Sequence, residues 1–445
     1  MSISQSATTR TEPLKSKVIG IPEYSIRNKL QNELHASPYE LLSAPTLISH
    51  LALFSNISNA QEELRLLTQL CHHFSVSPPA LDTRYFSADF GLFRLRWERH
   101  NEFCSYTFFV SATLSVPFSE NAIECAPKEW LESLPGEIIS ASHVTVDKID
   151  RREYSMNELS TLFASNNIIG AKVAADRAVV WTDNKIHNDG FCRILISVTS
   201  LSRHQTGRLV KRLIDIETYR MLAMLPVPLA REYIPELARL DESLAELTTH
   251  NTELETLEDE QRLLTDLTRL AAEIESISAK TNQRFSATLA YYNIVKLRIS
   301  ELREQRIQGL QMFHEFMEQR LTSSMDTCAS VHGNLDTLSK RVARASELLR
   351  TRVDITMEGQ SRDLLQSMDK RAHLQFRLQE TVEGLSVVVL SYYLIGIVGY
   401  GLKGIKSAGF DIDIDIATGL FIPVVFGLVF IGMHRLRKKI SKKGR

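Results

Sequence analysis

The chain has 445 residues, 24% of them charged and 44% hydrophobic, with a formal net charge of −1. That near-neutral balance offers no electrostatic footing for nucleic acid, and the length allows two or three domains with a sizeable core. Five scattered cysteines, Cys71, Cys104, Cys125, Cys192 and Cys328, an odd count with no C-x-x-C pair, fit free thiols in a reducing compartment better than a disulfide framework.

Residues 1–24 are Ser/Thr-rich and carry no apolar run of the secretory kind, so they predict a disordered leader and a chain whose bulk stays in the cytoplasm. Residues 25–201 predict an α+β or α/β domain with a mainly antiparallel or mixed sheet. Leu47–Ser55 is apolar and strand-like, and Asn59–Phe74 has helical spacing. Ala88–Leu114 predicts two strands around a polar turn, because Arg94, Arg96 and Glu98 alternate with Leu95 and Trp97 at the period of a half-buried strand. Further strands are expected at 136–147, 168–176, 177–183 and 191–200, and short helices at 127–134 and 155–165.

After Ser202 the strand pattern stops, and 202–383 predicts a long helical coiled-coil stalk, broken near Pro226–Pro228. Leu237, Leu240, Leu244, Leu247 and Leu254 follow heptad spacing, and Leu264, Leu267, Ala271 and Ile274 resume it. An amphipathic segment is expected from 284 to 324. Leu338, Val342, Ala345 and Leu349 restart the rhythm, and no proline interrupts 334–402, which would give a helix on the order of 100 Å long. An apolar seam of that length needs partners, either upstream helices of the same chain or other copies of it, so a homo-oligomer is expected.

Gly384–Leu402 then supplies nineteen uncharged residues and Ile416–Met433 another eighteen, each about the span of a bilayer core. Pro423 inside the second run is tolerable where a neighbouring helix meets the freed carbonyl. The prediction is a transmembrane hairpin: helix 384–402, external loop 403–415, helix 416–433, and a basic tail 434–445 whose last eleven residues hold seven Lys or Arg and no acid. Such a tail stays cytoplasmic, and two spans bring both termini to that side. Lys403 and Lys406 run mildly against the rule in the loop, which also holds Asp411, Asp413 and Asp415.

Signatures of chemistry are sparse. No phosphate loop, H-E-x-x-H or G-x-S-x-G is present, and the glycines of "GIVGYG" lie inside an apolar run, where close packing explains them. His35, His50, Glu98 and His100 are of the right types for a divalent ion, yet no spacing among them is diagnostic, and hydrogen-bonded core or turn residues explain them better. Cys71-His72-His73 fits the polar end of a helix. If several copies enclose a pore, Ser391, Gly396, Tyr400 and the three loop aspartates would line it or ring its mouth.

The segments "NELHASP", "SHLALF", "FRLRWERHNEFCSYTF", "RLVKRLIDIETYRMLAM", "LRTRVDITMEGQSRDLLQSM" and "LQETVEGLSVVVLSYY" together resemble a bacterial family of membrane-anchored proteins with a domain of unknown function, over residues 25–405. That resemblance brings no activity or catalytic residue with it. The layout is also similar, in architecture alone, to the CorA type of magnesium channel, a pentamer whose first spans line the pore. Where that family carries its Gly-Met-Asn filter, this sequence has Gly399-Tyr400-Gly401-Leu402. Three readings follow: a multi-pass, homo-oligomeric scaffold or sensor of the bacterial inner (plasma) membrane, without catalysis or cofactor; a CorA-like divalent-cation channel; and a metal-dependent enzyme.

Overall fold

A computed structural model of the chain describes residues 17–18, 21–22, 24, 26–27, 30–31, 39–55, 59–81, 83–111, 116–150, 153–250, 256–407 and 413–441. His35 and Asp411 lie outside these. The chain divides into two compact units, 1–249 with 267–343, and 250–266 with 344–445.

The first unit is built on a mixed sheet whose strands, in chain order, are β1 Thr46–Phe54, β2 Tyr85–Asp89, β3 Arg94–Arg99, β4 Phe103–Val110, β5 Glu137–Lys148, β6 Ile169–Val173, β7 Ala178–Thr182, β8 Cys192–Val198 and β9 Gln305–Arg306. Their spatial order is β9-β6-β7-β8-β5-β1-β4-β3-β2. Every pair is antiparallel except β8 with β5, which run parallel.

Alternation along β3 sets the character of the two faces. Leu95 pairs with Phe108 and Trp97 with Tyr106, and all four are fully buried beneath helices α1 Ala60–His73 and α2 Lys128–Glu132. Each such burial contributes about 2 kcal/mol of apolar transfer. α1 presents Leu66, Leu67, Leu70 and Cys71 at helical spacing to this core, and Trp130 of α2 donates its indole N–H to the Leu66 carbonyl at 2.8 Å. His72 and His73 lie exposed at the end of α1.

The opposite face is polar. Register places Ser87, Arg96, Thr107, His50, Ser142 and Cys192 side by side in one row across six strands. Helix α4 Arg203–Met224 covers that row; Ser202 opens it with a capping box, accepting from the Gln205 backbone while the Gln205 side chain accepts from the Ser202 N–H. A third short helix, α3 Met156–Leu162, starts the same way at Ser155.

The chain continues as α5 Val227–His250, α6 Leu257–Leu302, α7 Phe313–Met317, α8 Ser323–Ser407 and α9 Ile414–Ser441. Pro228 sits in the first turn of α5, where its missing N–H costs nothing. Within the first unit, Leu237, Leu240 and Leu244 of α5, Leu267, Leu270 and Ile274 of α6, and Leu335, Leu338 and Val342 of α8 are buried. Arg239 links α5 to Glu273 of α6 at 2.7 Å, and Arg341 of α8 pairs with Asp241 of α5.

The expected unbroken amphipathic stretch from 284 to 324 is interrupted. α6 stops at Leu302, Arg303 and Gly309 take positive φ, and β9 hydrogen-bonds to the free edge of β6 before the helix resumes at Phe313. Pairing an otherwise bare sheet edge outweighs two more turns of helix here.

In the second unit Glu260 of α6 is buried and accepts an ion pair from Arg352 Nε of α8 at 2.6 Å. Val387 of α8 meets Val425 and Val429 of α9, with Ile395 and Met433 packed alongside. Two helices, Phe313–Gly404 and Thr418–Arg435, are long and apolar enough to cross a membrane. Only 11% of the most apolar window of each is buried inside the chain.

Candidate functional site

Of the residues singled out by type, His50, Glu98 and His100 lie in the polar row and beside it. His50 is buried with both ring nitrogens engaged, Nδ1 2.9 Å from Thr107 Oγ1 and Nε2 3.2 Å from Thr218 Oγ1 of α4. Burial, and then the Arg96 charge, lowers its pKa to about 3, so the ring is neutral. Glu98 lies 3.3 Å from Arg96 Nε and 3.5 Å from Lys211 Nζ of α4. His100 stacks on Phe103 at 4.1 Å, and burial lowers its pKa as well. His50, Glu98 and His100 are close enough to influence one another electrostatically, but His50 spends its ring nitrogens on hydroxyls and Glu98 its carboxylate on cations. Among the described residues, no group of three or more His, Cys, Asp or Glu is placed to hold a metal.

The network extends through Lys211, Asp215 and Arg298 to Glu301 and Arg212, with ion-pair distances from 2.9 to 3.8 Å. It ties the sheet to α4 and α6. Charges paired in this way hold a fold together.

The pore candidates do not share a face. Ser391 is buried in the second unit, on the side of α8 that carries Val387 and Ile395 to α9, with no hydrogen-bond partner for its Oγ. Gly396 and Tyr400 are exposed, and at roughly 100° per residue they fall on the opposite side of the helix. Asp413 and Asp415 are exposed near the start of α9, where Asp413 Oδ1 accepts from the backbone N–H of Asp415.

A cleft of about 790 Å³ opens in the first unit, beyond the ends of β6 and β7 and beside the last turn of α4. That is the size of a small-molecule site. Met156, Met224, Met317, Ile168, Leu310 and Phe316 supply apolar wall, and thioether side chains adapt readily to irregular shapes. The polar lining is supplied by Asn166, Asp183, Asn184, Lys185, Arg220 and Arg320.

The buried carboxylate of the cleft is already used, whereas one buried donor is left over. Asp183 is buried; its Oδ2 accepts from Asn166 Nδ2 at 2.7 Å and lies 2.9 Å from His187 Nε2, and its Oδ1 accepts from the Lys185 backbone at 3.3 Å. Arg220 donates through Nε and Nη2 to the buried Glu217, the shorter contact being 2.5 Å. Asn184 Nδ2 is buried without a partner, on a residue held at φ 50°. A site with a spare donor suits a ligand that brings an acceptor, such as a carbonyl or carboxylate.

Residues 318–322, between α7 and α8, form a single π turn, and Gln319, Arg320 and Leu321 from it face the cleft. A second cleft of about 510 Å³, lined by Tyr292, Lys296 and His314, touches the same turn through Met317 and Leu321. π turns widen a helix by one residue and are frequent at functional sites.

A family model described as protein of unknown function (DUF3422) matches residues 22–440. The chain belongs to this family. No curated protein and no solved structure matches it. The span of the DUF3422 match takes in the sheet, the cleft and both apolar helices, so all of these fall within the family's unit.

Sequence reasoning missed the cleft because its lining comes from three separated stretches, 156–185, 220–224 and 309–321. One local signal was available. Asp183-Asn184-Lys185 follows a buried strand directly, a place where polar residues take up the last backbone bonds and mark a loop with work to do.

Proposed function

We propose that this DUF3422 protein is a multi-pass protein of the bacterial inner membrane, with both termini cytoplasmic, that self-associates through its long helix and presents the sheet domain to the cytoplasm as a scaffold or sensor. The carrying observation is the apolar surface of α8 and α9: Tyr392, Ile397, Tyr400, Leu420 and Leu428 are each more than 60% exposed, an arrangement water penalises and hydrocarbon favours. The basic tail following Met433 supports the side assignment. The cleft, with its buried and unpartnered Asn184 amide, supports a sensing role.

Membrane attachment is tested by washing lysed-cell membranes with alkaline carbonate. The full-length protein should stay in the pellet, and release into the wash removes the anchor. The side is tested by fusing a reporter active only in the periplasm behind Arg445, where it should be silent, and in the 403–415 loop, where it should be active.

A further inference from the structure

The long helix carries one apolar stripe whose covering changes along its length. Leu335, Leu338, Val342, Leu349 and Val353 are buried, Val353 to 7% exposure. With roughly 100° per residue, the stripe continues on the same side through Met357, Leu364, Met368, Leu378, Val382 and Leu385. All of these are exposed, Leu364 at 64%, Leu378 at 70% and Val382 at 58%. Val389, Gly396 and Tyr400 prolong it into the apolar segment, opposite the side that Val387, Ser391 and Ile395 turn toward α9.

We propose that this stripe, from Met357 to Tyr400, is the face by which one copy of the chain packs against the same stripe of a second copy. The inference rests on the self-association reading above and gives it an address. Three observations select a second copy as the occupant. The stripe continues a seam that is already an interface, buried against helices of its own chain as far as Val353. Lipid does not serve for its first half, because 357–382 prolongs the axis of the spanning helix without a break and carries charge on its far side.

Charge placement is the third observation. Between Met357 and Ser386, the stripe and its two flanks make up eighteen positions with two charged residues, Glu358 and Arg371. The other twelve positions hold seven: Arg362, Asp363, Asp369, Lys370, Arg377, Glu380 and Glu383. In heptad terms the flanking positions hold one charge, Glu358, where Glu and Lys usually edge a solvated seam, and Leu365 and Leu374 stand among them. The far side is nearly balanced in sign, so identical copies lying side by side do not repel. Gln375 within the stripe is the kind of polar core residue that fixes register, and Gly396 lets two backbones approach closely in the membrane.

The test is cysteine cross-linking of the full-length protein in native membranes. Cys71, Cys104, Cys192 and Cys328 are buried, so only the part-buried Cys125 is changed to Ser in the background. Leu364→Cys and Leu378→Cys lie on the stripe, and Gln366→Cys and His373→Cys on the opposite side; all four positions are exposed, so folding is not at stake. With a short bismaleimide, the stripe variants should give severalfold more dimer-sized product than the opposite pair. Equal cross-linking from both sides, no product from either, or a product containing a different protein overturns the proposal. Mass measurement in detergent separates the two levels: an oligomer without face-specific cross-linking sinks the stripe alone, and a monomer sinks self-association itself.

Discussion

The sheet domain and the C-terminal helices solve the same problem in opposite ways. Beneath α4 the chain buries charge and hydroxyls and pairs its charges: His50 sits between two threonines, Glu98 beside Arg96 and Lys211, and Glu217 against Arg220. Along α8 and α9 the reverse holds, and large apolar side chains are left without neighbours. The first region keeps its large apolar side chains inside, whereas the second exposes them, and that exposed surface is what the proposed membrane attachment and self-association would cover. Perturbations should therefore behave differently in each, and Trp97, Trp130 and Trp181, all in the sheet domain, report on that domain alone in the intact protein.

The largest effect is expected where a buried ion pair loses one member. Arg220→Ala strands Glu217 beside Cys192 and should destabilise the domain by about 3–5 kcal/mol, read as an earlier tryptophan unfolding transition in urea. Replacing both partners, Glu217→Leu with Arg220→Met, should recover most of that loss, since no uncompensated charge remains. A double variant as weak as the single one breaks the claim that pairing holds this face together.

Next comes a substitution that separates lipid from water as the surroundings of α9. Leu428 is 65% exposed. On a helix in water, Leu428→Arg would be nearly neutral; in a bilayer it costs about 2.5–3.5 kcal/mol of insertion free energy. The expected outcome is reduced retention in carbonate-washed membranes with an unchanged tryptophan transition. A variant that is retained like the wild type removes the contrast between the two regions.

How far these regions were legible in the sequence follows from how local their signals are. Period-two alternation at Arg94–Glu98 announced β3, and the apolar run 136–147 announced β5, because each strand's own side chains record which face is buried. The same logic marked both apolar helices. β9 was invisible, since two residues pair there for the benefit of an edge far away in sequence. The cleft was invisible for a related reason: Asp183, Arg220 and Arg320 converge only through the sheet order and the π turn. Ser391, Gly396 and Tyr400 were grouped as one lining, although their spacing already separates them around a helix; α9 settles which side each takes.

A pH series sharpens the account of the polar face. Burial lowers His50 from 6.5 to about 3, with the Arg96 charge adding to it, and burial lowers His143, which is stacked on Phe191, to about 4. Their unfolded forms titrate near 6.5. Below that value the unfolded chain binds more protons than the folded one, so stability is full above about pH 7 and falls with acidification. Each ring should contribute a slope of about 1.4 kcal/mol per pH unit between pH 6 and the folded pKa. Urea midpoints between pH 7.5 and 4.5 measure it, and His50→Gln should remove one ring's share. An unchanged slope would mean that the imidazole is reached by water.

The smallest expected effect tests how the polar face is held in place. α4 carries Lys211, Glu217, Thr218 and Arg220 to the sheet, and its start is fixed by Ser202, whose hydroxyl accepts from the Gln205 N–H at 3.4 Å. Ser202→Ala leaves a first-turn donor to water and should cost about 1 kcal/mol. The loss is small because Ser202 stands at the solvent end of the helix, while ion pairs and the His50–Thr218 contact hold its middle. Combined with His50→Gln, the two losses should be roughly additive if α4 docks as a rigid body, since the sites share no partner. A combined loss well beyond the sum would show that the cap and the polar row hold the helix jointly, and that the first region is less self-sufficient than its contrast with the apolar helices suggests.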